Sequence, residues 1–300
     1  MIIQHNIPLI NSERQYGMVT RNQANSSEKL SSGYRINRSA DDAAGISISE
    51  KMRRQIHGLT QASMNCQDGI SLAQVADGAL NEVHDILHRG TELSVMAANE
   101  TLSDDDRQTI QKEISSILDE ITALKNRATF NEIKVLDGGT LSTSNYSIRQ
   151  DMFTNGRFDD SRLSEGSFDL VIQAGSESGQ TIEVRLSSIS LENMGLDDVD
   201  VSRKDQTTDG PLEAIDKFKE ALNFVSKERS RMGAYQNRFQ HTIKNLDTIV
   251  ENTTSSESLI RDTDMAKEMI TYSGNRILTD AGHSIMAQAS KTNEAVMTLL

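Results

Sequence analysis

Three hundred residues carry 31 Lys and Arg against 44 Asp and Glu, a net charge of −13, which argues against a nucleic-acid binder because affinity for a polyanion needs a basic surface. Apolar residues make up 36 %, aromatics 4 %, and Trp is absent, leaving little bulk for a thick globular core but enough Leu, Ile and Val for narrow seams between helices. Two prolines leave long helices unbroken, and the single Cys66 rules out an internal disulfide framework and a multi-cysteine metal site.

The first residues, Met1-Ile2-Ile3-Gln4-His5-Asn6, lack a basic start, an apolar run and a small-residue cleavage site. No stretch is long and apolar enough to span a bilayer, so membrane insertion is not expected and the plain reading is a soluble cytoplasmic chain. Residues 1–33 have weak periodicity and many Ser, Asn and Gln. "SSGYRINRSADDAAG", residues 31–45, then interrupts the helical pattern. Asp41 and Asp42 could suggest a catalytic carboxylate pair, but adjacent helical residues point about 100° apart and no partner constellation is in sight. Ser31-Ser32-Gly33 lacks the Gly-Lys-Ser/Thr ending of a phosphate loop. The segment reads as a helix start, with Ser39 as cap and the two acids in the first turn.

Cys66 lies among small residues of a helical stretch and reads as a buried small hydrophobe. Ala73, Ala76, Leu80, Val83, Leu87 and Gly90 then alternate steps of three and four, a coiled-coil or bundle seam. His84 and His88 share a helix face at a spacing two zinc ligands can use, yet nothing nearby supplies the remaining ligands of a zincin; they read as polar positions beside the seam. Ser103 followed by three aspartates marks the next helix start, and Ile110, Ile114, Ile117, Ile121, Leu124 and Ala128 give it a second seam. Asp137-Gly138-Gly139 is read as its breaker.

Alternation on both sides of Gly175–Gly179 predicts a β-hairpin, with Leu170 and Ile172 facing the same way as Ile182, Val184 and Leu186. An isolated hairpin is marginal in water and must pack on the helices. Asp209-Gly210-Pro211 opens a further helix, with seams at Ile215, Phe218, Leu222 and Val225 and at Phe239, Ile243, Leu246 and Val250. Asp262, Thr263 and Asp264 invite a cation site, but helix chemistry with Arg261 or Lys267 explains them. The triplets at Asn99, Asn145 and Asn252 are weak glycosylation signals. A last stripe, Ala266, Ile270, Ile277, Ala281 and Ile285, ends on the bare Met297-Thr298-Leu299-Leu300, which suits a terminus buried on assembly. The expected fold is mainly α, with long antiparallel helices from both chain ends forming coiled-coil or bundle domains and a small mid-chain β-hairpin.

"EKLSSGYRINRSADDAAGISISEKMR", "GAYQNRFQHTIKNL", "ESLIRDTDMAKEM" and "ILTDAGHSIMAQA" resemble the paired ends of bacterial flagellins. The resemblance covers roughly residues 1–136 and 211–300, and the hairpin is also similar. It implies a non-enzymatic filament subunit with no cofactor and no metal. Residues 1–40 with 256–300 would form an inner core coiled coil, with linkers near 34–45 and 250–258. Residues 41–140 with 211–255 would form a helical rod domain, and 141–210 a hairpin and irregular region packed on it, leaving no room for a separate outer domain. The resemblance also moves the expected location outside the cell, by type III export without a cleaved signal peptide.

Implied partners are other subunits, an export chaperone at the C-terminal helix, filament cap and junction proteins, and host Toll-like receptor 5. Arg89, Glu92, Leu93 and Glu113 match the receptor-contact pattern. Thr91 stands where many flagellins carry a second Arg, and losing that cation is expected to weaken contact by ~1 kcal/mol. Gly90 replaces a β-branched or Leu-like residue. Arg35, Arg38, Asp41, Asp42, Ile277, Leu278, Ile285, Leu299 and Leu300 are the assembly and linker candidates, with the two arginines expected to pair with acids on adjacent subunits. Alternative readings are a hook–filament junction protein and a coiled-coil adaptor or signalling rod.

Overall fold

The computed structural model describes residues 7–137, 167–202 and 209–297. Six helices are present among them: α1 (Ile7–Ser32), α2 (Ala43–Ala97), α3 (Asp104–Arg127), the short α4 (Leu191–Met194), α5 (Asp209–Arg261) and α6 (Met265–Met297). Two antiparallel hairpins accompany them, β1 (Thr129–Phe130) with β2 (Ile133–Lys134), and β3 (Ser167–Gln173) with β4 (Thr181–Ser187). The chain divides into two compact units, residues 57–249 and residues 1–56 with 250–300. That division differs from the expected one near residues 40 and 256. The expected linker at 250–258 is helical, and the break between α5 and α6 comes at Asp262–Asp264.

Residues 57–249 are a helical bundle. Ala73, Ala76, Leu80, Val83 and Leu87 of α2 are all buried, with Ile110, Ile114 and Ile121 of α3 and Phe218, Val225, Phe239 and Leu246 of α5. Ile215 and Leu222 sit only half-buried, while Ala214 and Ala221 occupy the inner row. Small residues take the centre because the helices approach closely there. A Cβ on Gly90 would lie 2.5 Å from the Phe218 ring, and one on Gly69 would lie 2.9 Å from the Phe239 ring. Ion and hydrogen-bond pairs follow the same antiparallel register, with Asp77 on Arg229 at 3.1 Å and Ser63 against Asp247 at 3.4 Å.

Ser103 caps α3 as its sequence predicts. Its side chain accepts from the Asp106 amide, the Asp106 carboxylate accepts from the Ser103 amide, and the reciprocal pair closes a capping box. The other end of α3 was not legible: the helix stops at Arg127, ten residues ahead of the Asp137 breaker, and turns at once into β1 and β2. Asn131 and Glu132 both hold positive φ there, 48° and 66°, the conformation of a two-residue primed turn. Gly138 and Gly139 lie outside the described residues, as does residue range 141–166 of the expected irregular region.

The larger hairpin has the predicted facing. Leu170 pairs with Val184 and Ile172 with Ile182, and Ile182, Val184 and Leu186 are buried. It packs on the helices as a two-stranded sheet must. Asn65 Nδ2 donates to the Gln173 carbonyl at 3.1 Å, the Arg185 amide donates to the Tyr235 hydroxyl at 3.1 Å, and Arg231 donates to both Ser187 and the buried Glu228. Residues after β4 lie along α3, where Gln111 donates to Val199 O and accepts from Val201 N.

Glycine tolerance gives a direct check on this packing. Gly90→Ala should destabilise the bundle by ~1–3 kcal/mol, because the buried Phe218 ring has no room to yield. Gly78→Ala meets nothing within 4 Å and should stabilise by about 0.5–1 kcal/mol through helix propensity. Urea denaturation of the two variants, with opposite shifts in midpoint, tests the pair.

Candidate interaction surfaces

In the unit formed by residues 1–56 and 250–300, α1 and α6 run antiparallel, with Gln23 accepting from Thr279 Oγ1 at 3.0 Å and Tyr16 lying against Gly282 and His283. The shielded row of α6 is Glu268, Tyr272, Asn275, Thr279, Gly282, Met286 and Ala289, a heptad of mostly polar and small side chains. The matching row of α1 is Leu9, Ser12, Tyr16, Val19, Gln23, Ser26 and Leu30, also half polar, which explains its weak hydrophobic signal. The apolar stripe read from sequence points outward instead: Ile270 is 75 % exposed, Ile277 68 %, Leu278 56 % and Ile285 58 %. Ile7, Ile10 and Met18 of α1 are exposed too. Leu299 and Leu300 lie outside the described residues.

Residues 33–42 form an ordered joint in the same unit. Gly33, at φ 75°, ends α1 in the left-handed region and donates to the Lys29 carbonyl. Tyr34 and Asp262 form an antiparallel bridge, with Arg35 N donating to Arg261 O at 2.7 Å and Thr263 N to Gly33 O at 2.9 Å. Ile36 is buried beneath it. Arg35 Nη2 donates to the Ile260 carbonyl, and the Arg38 guanidinium is clasped by Glu28 at 3.0 and 3.1 Å, so both arginines have acceptors within their own chain.

Ser39 is not the cap of α2. Asp42 Oδ1 takes the Gly45 amide at 2.9 Å, which is the N-cap geometry. Asp41 turns back instead, accepting from the amides of Asn37 and Arg38, and these hydrogen bonds hold its carboxyl below the ordinary 3.8. Asp264 caps α6 through the amides of Ala266 and Lys267, and Asp262 accepts from Ser258, rather than the two acids pairing with the Arg261 or Lys267 side chains. Arg261, read from the sequence only as a partner for the neighbouring acids, joins the parts: its guanidinium stacks 4.7 Å from the Tyr34 ring centroid and reaches Glu50 at 3.3 Å and Glu257 at 3.9 Å. Tyr34 and Glu50 are remote in sequence and leave no local pattern, whereas Glu257 is a local i,i+4 partner.

On the bundle, Arg89 lies between two acids. Its Nε and Nη2 donate to Glu113 at 3.2 and 2.8 Å across the α2–α3 gap, and Nη1 reaches Glu92 at 3.2 Å. Hydrogen bonding to Glu113 first, and to Glu92 second, raises the guanidinium's pKa above its ordinary value. Leu93 departs from its expected place among the contacts. It is 1 % exposed, because its side chain fills the bundle interior, and it supports the surface from beneath. Thr91 folds its hydroxyl onto the Leu87 carbonyl at 3.0 Å.

Cys66 is buried, and burial pushes its thiol up. No group of three or more His, Cys, Asp or Glu among the described residues is placed to hold a metal ion. No described helix is long and apolar enough to cross a membrane.

Residues 3–140 match the family described as the bacterial flagellin N-terminal helical region, and residues 215–300 match the bacterial flagellin C-terminal helical region. The chain is 43 % identical to a flagellin of Halalkalibacterium halodurans, 41 % to a flagellin of Bacillus subtilis and 40 % to the flagellar filament 31.3 kDa core protein of Treponema maltophilum, each match covering 100 % of both chains. The crystal structure of Bacillus cereus flagellin is 25 % identical with a TM-score of 0.46, covering 61 % of this chain and 88 % of that one.

Asp41 ties the joint to pH. A carboxyl with a depressed folded pKa contributes its stabilisation above the ordinary 3.8 and loses it as pH falls through the lower folded value. Carbon-detected NMR should show Asp41 titrating below 3.8, with the Asn37 and Arg38 amide shifts following the same curve. Titration at or above 3.8 would contradict the turn geometry.

Proposed function

The chain belongs to the bacterial flagellin family, and from that premise we propose that it polymerises through its two terminal helices. It is a structural subunit of the extracellular flagellar filament rather than an enzyme. Supporting this route to assembly is the outward apolar stripe of α6. Four large aliphatic side chains stand in water there while polar and small residues occupy the α1-facing row. Contiguous exposed apolar surface of this kind is relieved by association. In the polymer, the terminal pair forms the inner core and residues 57–249 the rod domain. Export through the flagellar type III apparatus, a chaperone on α6, and cap and junction proteins at the filament ends complete the proposed setting.

A second reading rests on Arg89. An arginine positioned in advance by Glu113 and Glu92 on a helical surface has the character of an interface hot spot. We propose that the free subunit is bound by Toll-like receptor 5 through Arg89, Glu92 and Glu113, with Leu93 as buried support.

Seeded polymerisation followed by electron microscopy tests the first reading. Wild-type chain should extend seeds into long uniform filaments, while Ile277→Glu should stop growth and leave the unfolding of the 57–249 bundle unchanged. Short rings or no extension by the wild type would favour a junction-type subunit instead. For the receptor, Arg89→Ala should weaken binding to the isolated receptor ectodomain by about 1–2 kcal/mol. Unchanged affinity removes Arg89 from the contact.

A further inference from the structure

His84 and His88 stand one turn apart on α2, and their packing makes them more than polar flank residues. The two Nε2 atoms are 3.1 Å apart, and the rings are perpendicular with centroids at 4.6 Å. His88 is exposed and His84 half-buried. A hydrogen bond between the two Nε2 atoms requires one protonated and one bare nitrogen. His84 Nδ1 is buried with no hydrogen-bond partner, so a proton there would be a donor left unmade. The metal-free pair shares one proton between its two Nε2 atoms.

We propose that this pair is a two-imidazole chelate for a borderline divalent transition metal, copper(II) ahead of nickel(II) and zinc(II). With metal–nitrogen bonds of about 2.0–2.1 Å, a 3.1 Å separation subtends roughly 95–100° at the metal. This is nearer the right angle of tetragonal copper and nickel sites than the tetrahedral angle zinc prefers. The ascending affinity order of divalent metals, which peaks at copper, points the same way. Water fills the remaining positions, because the described residues bring no third His, Cys, Asp or Glu to the pair.

The surroundings modulate the site without closing it. Burial, the neighbouring His88 and the Arg229 charge lower the His84 pKa, against a weaker opposing pull from Asp85. Arg229 also repels a bound cation, although its guanidinium is engaged by Asp77 at 3.1 Å. Coordination through both Nε2 atoms moves the shared proton to the Nδ1 atom of the same ring, so that both imidazoles stay neutral. That displacement, with no third His, Cys, Asp or Glu among the described residues, makes affinity lower than in a three-histidine site.

The test titrates full-length, non-polymerised chain with copper(II), nickel(II) and zinc(II) by calorimetry, with electron paramagnetic resonance on the copper sample. One saturable copper site with a two-nitrogen signature is expected, tighter than nickel or zinc. His88→Gln, a change at an exposed position, should lower copper affinity at least about tenfold and remove the two-nitrogen pattern. His84→Gln should do the same, with circular dichroism reporting any loosening of the helix. Absence of saturable copper binding by the wild type, or copper affinity within about threefold of wild type in His88→Gln, overturns the assignment.

Discussion

Phe218 pressed against Gly90, and Phe239 against Gly69, fix how α2 and α5 meet. In a chain with 4 % aromatics and no Trp, the few large rings can be buried only where the opposite helix has no side chain at all. That requirement sets the antiparallel register of the bundle to a single solution, since a slip of one residue would drive a ring into a Cβ. Arg89 precedes Gly90 directly, so the same register delivers its guanidinium to the α3 side, where Glu113 waits 2.8 Å away. The hairpin is seated by the same fit, because Ile172 approaches Gly69 from the sheet side.

The terminal pair is organised on the opposite plan. Rings and aliphatics hold the bundle together from inside, whereas α1 and α6 meet through Ser, Gln, Asn, Thr and small residues and turn their Ile and Leu outward. On α6 the hydrophobic periodicity marks the face that is free, and mostly polar and small side chains mark the face that is paired. The joint beside them depends on directional contacts, with a backbone bridge from Tyr34 to Asp262, a stacked and ion-paired Arg261, and aspartates accepting backbone amides.

Sequence periodicity reached most of the bundle because burial there is apolar and repeats every three or four residues: Ala73, Ala76, Leu80, Val83 and Leu87, Ile110, Ile114 and Ile121, and Phe218 with Val225 are buried as read, while Ile117 is half-buried. The β3–β4 hairpin was legible for the same reason at period two. Ser103 was legible because capping is local. Three features were not. The turn between β1 and β2 uses Asn131-Glu132 without the glycine that announces such turns. Asp42 displaced Ser39 as the cap because Asp41 is drawn back to Asn37 and Arg38. The direction of the α6 stripe depends on what α1 offers it, which no single helix reveals. Of the surface candidates, the structure brings Arg89, Glu92 and Glu113 together, and withdraws Leu93 because a stripe position three residues from Gly90 belongs to the seam.

The α1–α6 arrangement also fixes how the terminal pair responds to heat. Contacts through hydrogen-bonding and small groups bury little apolar surface, so joining α1 to α6 gains little from the hydrophobic effect. Covering the outward Ile and Leu row gains much, and near room temperature that gain is almost wholly entropic. Warming therefore favours the covered state and cooling favours bare, separate chains. A single rotation of polarity around one helix thus gives self-association the thermal sign of an entropy-driven process, while the interior of the subunit follows the ordinary melting of a packed bundle.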